Sequence, residues 1–193
     1  GPVTVTGIEK KKENKNAPLL YNLAELQNDC SKYFKISPDE TLRIVQELYE
    51  KKMTTYPRTD ARVLSTAVAK EIHKNIGGLR SYALATPFAK EVLEQGTYKN
   101  IAKTRYVNDK QITDHYAIIP TGQGLNNLAG LAPTAAKVYE VIVRRFLSIF
   151  YPPAVYQKFS LAVKVKEENF FASFKVLVQE GYLKVANFSF KKE

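Results

Sequence analysis

Two adjacent prolines, Pro152 and Pro153, separate stretches of different hydrophobic period, and that change limits the architectures open to this chain. Before them, residues 134–150 repeat apolar side chains at helical spacing, with Val138, Ile142, Phe146 and Phe150 on one face. A helix cannot run on through two prolines, so it stops there. After them the period becomes two: Val155, Phe159, Leu161, Val163 and Val165 share one face, while Tyr156, Lys158, Ser160 and Lys164 share the other. Residues 166–169 read as a hairpin turn. Phe170, Ala172, Phe174, Val176 and Val178 repeat the alternation in a second strand, and a third is expected after Gly181.

A further alternating, β-branched piece, Val3-Thr4-Val5-Thr6, lies at the other end of the sequence. Four residues bury too little surface to stand alone, so they are expected to pair with the strands beyond Pro153. The polar run 9–16 has no period and reads as a connector. The fold class that follows is α+β. A helical domain, residues 19–152, is inserted into a mainly antiparallel β module made of residues 1–18 and 153–193.

Within the insert, Asn22 and Glu25 form a capping pair ahead of Leu23, Leu26, Cys30 and Tyr33 on one helical face. Ser37-Pro38-Asp39-Glu40 combines a Ser cap, proline at the first helical position and a closing glutamate, and opens a helix carrying Thr41, Val45 and Leu48. Ser65 caps another helix, with Val68, Ile72 and Ile76, which ends at Gly77-Gly78. A further helix is expected within residues 82–95, and residues 97–131 read mostly as loop. Two helices joined around a short extended segment give a helix-turn-helix-like layout, a common packing unit and weak evidence of DNA binding by itself.

No apolar run is long enough for a membrane span, and the first residues lack a signal-peptide core, so a cytoplasmic setting is expected. The single cysteine, Cys30, rules out an internal disulfide and a cysteine-cluster zinc site. A formal charge of +10 points to a polyanionic partner. Local basic clusters occur at Lys51, Lys52, Arg58 and Arg62, and at Lys99, Lys103, Arg105 and Lys110, the second being as well explained by a solvated face as by DNA contact.

Between the two capped helices lies Lys51-Lys52-Met53-Thr54-Thr55-Tyr56-Pro57-Arg58-Thr59-Asp60. Pro57 biases Tyr56 toward extended backbone, and Thr54 and Thr55 favour a short strand ending at the tyrosine. Side chains two apart on such a backbone share a face, so Tyr56 and Arg58 can aim at one point. A phenol needs a neighbouring cation or base to act as a nucleophile, and a guanidinium forked for phosphate oxygens is a suitable neighbour. The composition suits the handling of a phosphate.

This segment, with a second block Thr113-Asp114-His115-Tyr116-Ala117-Ile118-Ile119-Pro120-Thr121, resembles the active-site domain of type IA DNA topoisomerases, nearest to the bacterial topoisomerase III branch. The resemblance implies cleavage and religation of single DNA strands through a 5′-phosphotyrosyl link on Tyr56, supported by Arg58 and His115. It places DNA contacts at Lys51, Lys52, Arg62 and Thr113. It also implies a β-rich arch around the helical domain, Mg2+ held in a separate Toprim domain of the parent chain, single-stranded DNA as substrate and a helicase as partner. The nucleoid would be its place in the cytoplasm. Tyr116 stands where related patterns often carry His or Glu, and Ile119 where some carry a basic residue. There is no Asp-x-Asp pair, and Glu167-Glu168 read as solvated turn charges, so no metal ligands are expected here and the segment alone is expected to be inactive. Two other readings stay open: a non-enzymatic single-stranded nucleic-acid-binding module, and a structural adaptor with solvated basic faces.

Overall fold

The computed structural model describes residues 2–190. The chain forms two compact units, one comprising residues up to Ala17 with Pro152–Lys184, the other Pro18–Tyr151 with residues from Val185 onward. The architecture is α+β, with the helices concentrated in the second unit and one antiparallel sheet in the first.

The sheet has three strands in the order β1-β2-β3: β1 (Val3–Lys15), β2 (Ala154–Val165) and β3 (Glu168–Gln179). β1 pairs with β2 from Val3 opposite Val165 to Lys15 opposite Ala154, with a register shift between Val5 and Gly7. The N-terminal piece therefore pairs beyond Pro153 as expected. The polar run expected to be a connector is strand from Glu9 to Lys15, leaving only Asn16 outside it, which corrects the sequence reading. Its backbone groups take their bonds from β2, while its side chains stay in solvent. Glu13 reaches Lys175 at 2.8 Å and the Lys10 ammonium lies 5.7 Å from the Phe159 ring centroid. Hydrophobic periodicity is blind to such an edge.

The β2–β3 hairpin turns through Lys166 in the left-handed region (φ 56°). The third strand expected after Gly181 is instead a short helix, α7 (Leu183–Ala186). Gly181, at φ 55°, turns the chain so that the Tyr182 N–H donates to the Pro152 carbonyl. Phe159 and Phe174 stack across the sheet with centroids 5.0 Å apart, and Phe170, Phe174, Val176 and Val178 remain exposed. A lone three-stranded layer has no second layer to cover that face among the described residues.

In the helical unit the side-chain N-caps form, while the glutamate expected to close the second box, Glu40, instead accepts from Arg43. Asn22 Oδ1 accepts from Glu25 N–H ahead of α1 (Leu23–Phe34), and Ser37 Oγ accepts from Glu40 N–H ahead of α2 (Pro38–Glu50). Leu26, Cys30 and Phe34 are the buried stripe of α1, with Tyr33 only half-buried beside Phe34. Thr41, Ile44, Val45 and Leu48 are that of α2. The Ser65-capped helix is broken at Glu71 into α3 (Thr66–Lys70) and α4 (Ile72–Gly78). The break rotates Val68 partly outward and buries Ala69, while Ile72 and Ile76 point inward. After α5 (Thr86–Gln95), the stretch expected to be loop contains short 3-10 turns. α6 (Pro133–Ser148) runs through the core and buries Val138, Ile142 and Phe146. Glu140 on α6 accepts from the Arg144 Nε and from Ser189 N–H, both at 2.7 Å, which ties the chain after α7 to this helix.

Candidate functional site

α2 delivers the chain at Lys51 into an extended segment that lies antiparallel to the 113–121 block. Thr55 N–H donates to the Ile119 carbonyl and Thr121 N–H to the Met53 carbonyl, each at 3.0 Å, with Thr54 opposite Pro120. On its other side the block is held by Tyr21, whose carbonyl accepts from Ile118 N–H at 2.8 Å, and by Val63, whose carbonyl accepts from Ala117 N–H at 3.0 Å. Ala117, Ile118 and Ile119 are consequently fully buried, and His115 at the start of the block is exposed.

Three threonine hydroxyls join the two segments. Thr55 Oγ1 donates to the Ala117 carbonyl at 3.0 Å and accepts from Ile119 N–H at 2.9 Å. Thr59 Oγ1 donates to the His115 carbonyl at 3.3 Å, and Thr121 Oγ1 donates to the Lys52 carbonyl at 2.6 Å. The outcome is that two rings 59 residues apart in sequence meet: Tyr56 and His115 lie with centroids 4.5 Å apart at 38°. Tyr49, in the last turn of α2, meets the Tyr56 ring edge-on at 5.2 Å and 80°. The Tyr56 hydroxyl makes no hydrogen bond among the described residues.

These rings line an open cleft of about 720 Å³ that also includes Glu50, Lys52 and Tyr116. Burial pushes the Tyr116 phenol up from its ordinary range, so it stays a neutral wall of the cleft. The lining carries one ammonium, Lys52, and one carboxylate, Glu50; Lys51, Arg58 and Arg62 are not part of it.

Lys52 is exposed, with left-handed backbone (φ 62°) that turns the chain off the end of α2. Lys51 is not free: its Nζ pairs with Glu47 at 2.9 Å along the helix. Arg62 lies away from the cleft, with Nε on the Leu20 carbonyl at 3.1 Å, Nη2 on that of Leu19 at 3.3 Å and Glu25 at 4.0 Å. Its charge secures the approach to α1. Arg58 is exposed and without a hydrogen bond or ion pair among the described residues, and Thr113 is exposed as well. Tyr49, Thr55 and Thr59 were not recognised as site residues from sequence. The cleft holds no metal-ligating cluster: no group of three or more His, Cys, Asp or Glu side chains suited to an ion occurs among the described residues.

The Tyr56 ring, tilted against that of His115, is carried by a helical unit that falls between the strands of the sheet in sequence. The chain belongs to the type IA DNA topoisomerase family: the model of the family described as DNA topoisomerase matches residues 1–193. Among its relatives, DNA topoisomerase 3 of Bacillus cereus is 37% identical over 185 residues, covering 94% of this chain and 24% of that protein. DNA topoisomerase 3 of Bacillus subtilis is 35% identical over 179 residues, covering 92% and 24%. The chain thus spans about a quarter of the length of the curated relatives it matches. The full-length topoisomerase I of Thermotoga maritima shares the fold with a TM-score of 0.68 at 20% identity, over 99% of this chain and 30% of that one.

Proposed function

We propose that these residues are the tyrosine-bearing segment of an enzyme that cuts and rejoins single strands of DNA. The observation that carries this reading is the Tyr56 ring, its hydroxyl unbonded among the described residues, packed against the His115 ring at an open cleft. In the forward step the Tyr56 oxygen bonds to phosphorus and the bond to the 3′-oxygen breaks. The phenol proton leaves to a base, the 3′-oxygen takes up a proton, and the 5′-phosphate remains esterified to Tyr56. Attack by the 3′-hydroxyl reverses each step, and because one phosphoester replaces another, no nucleotide is consumed.

His115 and Arg58 are assigned to donate to the phosphate oxygens as charge builds on them. Lys52 guides the adjoining phosphate, and Thr113 extends the strand's path. Lys51 and Arg62, already bonded within the protein, contribute through their long-range field. The residues present do not form a magnesium site; its ligands would come from a Toprim domain elsewhere in a parent chain, and no step above is routed through the ion. A helicase partner and a nucleoid location follow from the same reading. No helix among the described residues is long and apolar enough to cross a membrane.

The test is to incubate labelled single-stranded DNA with the 193-residue chain, and separately with a parent enzyme containing it, and to look for a complex that survives denaturation. The parent should give an adduct that Tyr56→Phe abolishes with DNA affinity preserved, and Arg58→Ala should weaken both binding and cleavage. The isolated chain should bind and not cleave, with affinity falling by about 0.7 log units per log unit of salt for each phosphate contacted. An adduct in the parent that persists in Tyr56→Phe would refute the assignment.

A further inference from the structure

We propose that the Thr55 hydroxyl, helped by that of Thr59, is the device that sets the Tyr56–His115 geometry: Thr55 is a positioning residue for the nucleophile. The inference rests on the function proposed above and identifies what makes that site work.

Met53 faces Thr121 and Thr55 faces Ile119 in an antiparallel register, and one further step of that register would set Pro57 against Ala117. Proline has no N–H, so it cannot satisfy the Ala117 carbonyl. Ala117 and Ile119 are both fully buried, where an unpaired backbone group is costly. One hydroxyl resolves both ends of the gap. Thr55 Oγ1 donates to the Ala117 carbonyl, in place of the N–H that Pro57 lacks, and accepts from Ile119 N–H, in place of the Thr55 main-chain carbonyl.

The ladder is therefore carried past the proline by a side chain, and the main chain of Tyr56-Pro57-Arg58 is released from it. Thr59 repeats the device at the far end. Its Oγ1 accepts from Ala61 N–H at 3.1 Å and donates to the carbonyl of His115, the residue whose ring meets Tyr56. The tripeptide bearing the nucleophile is thus tied to the histidine block by a hydroxyl on each side. A β-branched side chain is restricted at χ1, which narrows the directions in which that hydroxyl can point. Valine matches the volume and removes the hydroxyl; serine keeps it.

The test uses Thr55→Val and Thr55→Ser in the parent enzyme, with single-turnover adduct formation and single-stranded DNA affinity measured separately. Displacing a nucleophile by a fraction of an ångström to an ångström costs up to about 100-fold in rate, so Thr55→Val should slow adduct formation by about 10- to 100-fold. Its DNA affinity should stay within about twofold, because neither segment's cationic side chains are altered. Thr55→Ser should restore most of the rate. Equal rates for both variants and wild type would overturn the proposal while leaving the nucleophile assignment intact.

A second measurement keeps the test independent of catalysis. In the 193-residue chain, the His115 ring protons feel the ring current of Tyr56, so their NMR shifts report the stacking directly. They should move in Thr55→Val and hold in Thr55→Ser; no movement in the valine variant would refute the proposal. Should Thr55→Val fail to fold, the Thr59→Val and Thr59→Ser pair decides the matter by the same two readouts. If wild type forms no Tyr56-dependent adduct, the functional reading falls, and the ring shifts still decide whether the hydroxyls position the pair.

Discussion

Replacing Arg145 by alanine should loosen the floor on which the site rests. Arg145 Nη1 donates to the Leu19 carbonyl at 2.8 Å, while Nη2 donates to the Tyr21 hydroxyl at 3.1 Å and to Asp29 Oδ2 at 3.2 Å. The guanidinium also lies 4.0 Å from the Tyr21 ring centroid, and the Tyr21 hydroxyl donates in turn to Asp29. Arg145 and Asp29 side chains are only 15% and 18% exposed. Removing one partner of a fully buried pair costs about 3–5 kcal/mol, and the residual solvent access here argues for the lower end, about 3 kcal/mol. The Leu19 carbonyl keeps its bond from Arg62, so most of the loss comes from the abandoned Asp29 charge and the lost cation–π contact.

For a chain of this size, about 3 kcal/mol corresponds to a midpoint lowered by about 6–12 °C. Far-UV circular dichroism at the helical band reads it out, because α1 to α6 all lie in the unit that contains Arg145. The Arg145→Met/Asp29→Leu pair, which leaves no orphan charge, should be less destabilised than Arg145→Ala alone. A loss under about 1 kcal/mol in Arg145→Ala, or a double variant worse than the single one, would show that the cluster is not an integrated buried network.

Gly122→Ala should be more disruptive than an ordinary loop substitution, since Gly122 sits at φ 82° and an added Cβ would lie 2.6 Å from the Asn75 carbonyl oxygen. A loss of at least about 2 kcal/mol in urea unfolding is expected, from left-handed strain plus that clash. Asp109 accepts from Thr66 N–H at 2.8 Å and from Thr66 Oγ1 at 2.6 Å, which holds its carboxyl below the usual range. Its contribution to stability is present at neutral pH and lost as pH falls through that lowered value. The melting-point difference between wild type and Asp109→Asn should therefore shrink below about pH 4. Burial pushes the Cys30 thiol up to about 12, so native protein should resist a thiol reagent at pH 8 that labels it at once when unfolded. The unfolded thiol ionises from about pH 8.5, so Cys30 also lowers stability as pH rises from there toward 12.

The parts of the fold legible in the sequence are those with local causes. The Asn22, Ser37 and Ser65 caps, the break at Pro152-Pro153 and the alternation of β2 and β3 each depend on a few adjacent residues, and each forms. The misread parts have distant causes. Residues 9–15 show no apolar alternation because both their faces meet solvent, and only the backbone of β2 makes them a strand. The break at Glu71 separates two pieces that share one continuous helical pattern.

The meeting of Tyr56 and His115 was legible because the two blocks carrying them resemble paired motifs of one family, whereas the fates of the cations were not. Arg58 and Arg62 are the same residue type four positions apart, yet Arg62 is captured by the carbonyls of Leu19 and Leu20 while Arg58 is exposed with no such partner. Which arginine meets a carbonyl depends on where residues 18–22 pass, and no local signal records it. Thr55 is the opposite case. Once Pro57 is placed in an antiparallel pair, an acceptor must go unpaired opposite it, and a hydroxyl two residues earlier is a near neighbour able to reach it. The proline that marks the tyrosine segment in sequence thus also creates the vacancy that the threonine fills, so Thr55-Tyr56-Pro57 is a physical unit in which a side-chain hydroxyl stands in for a missing N–H.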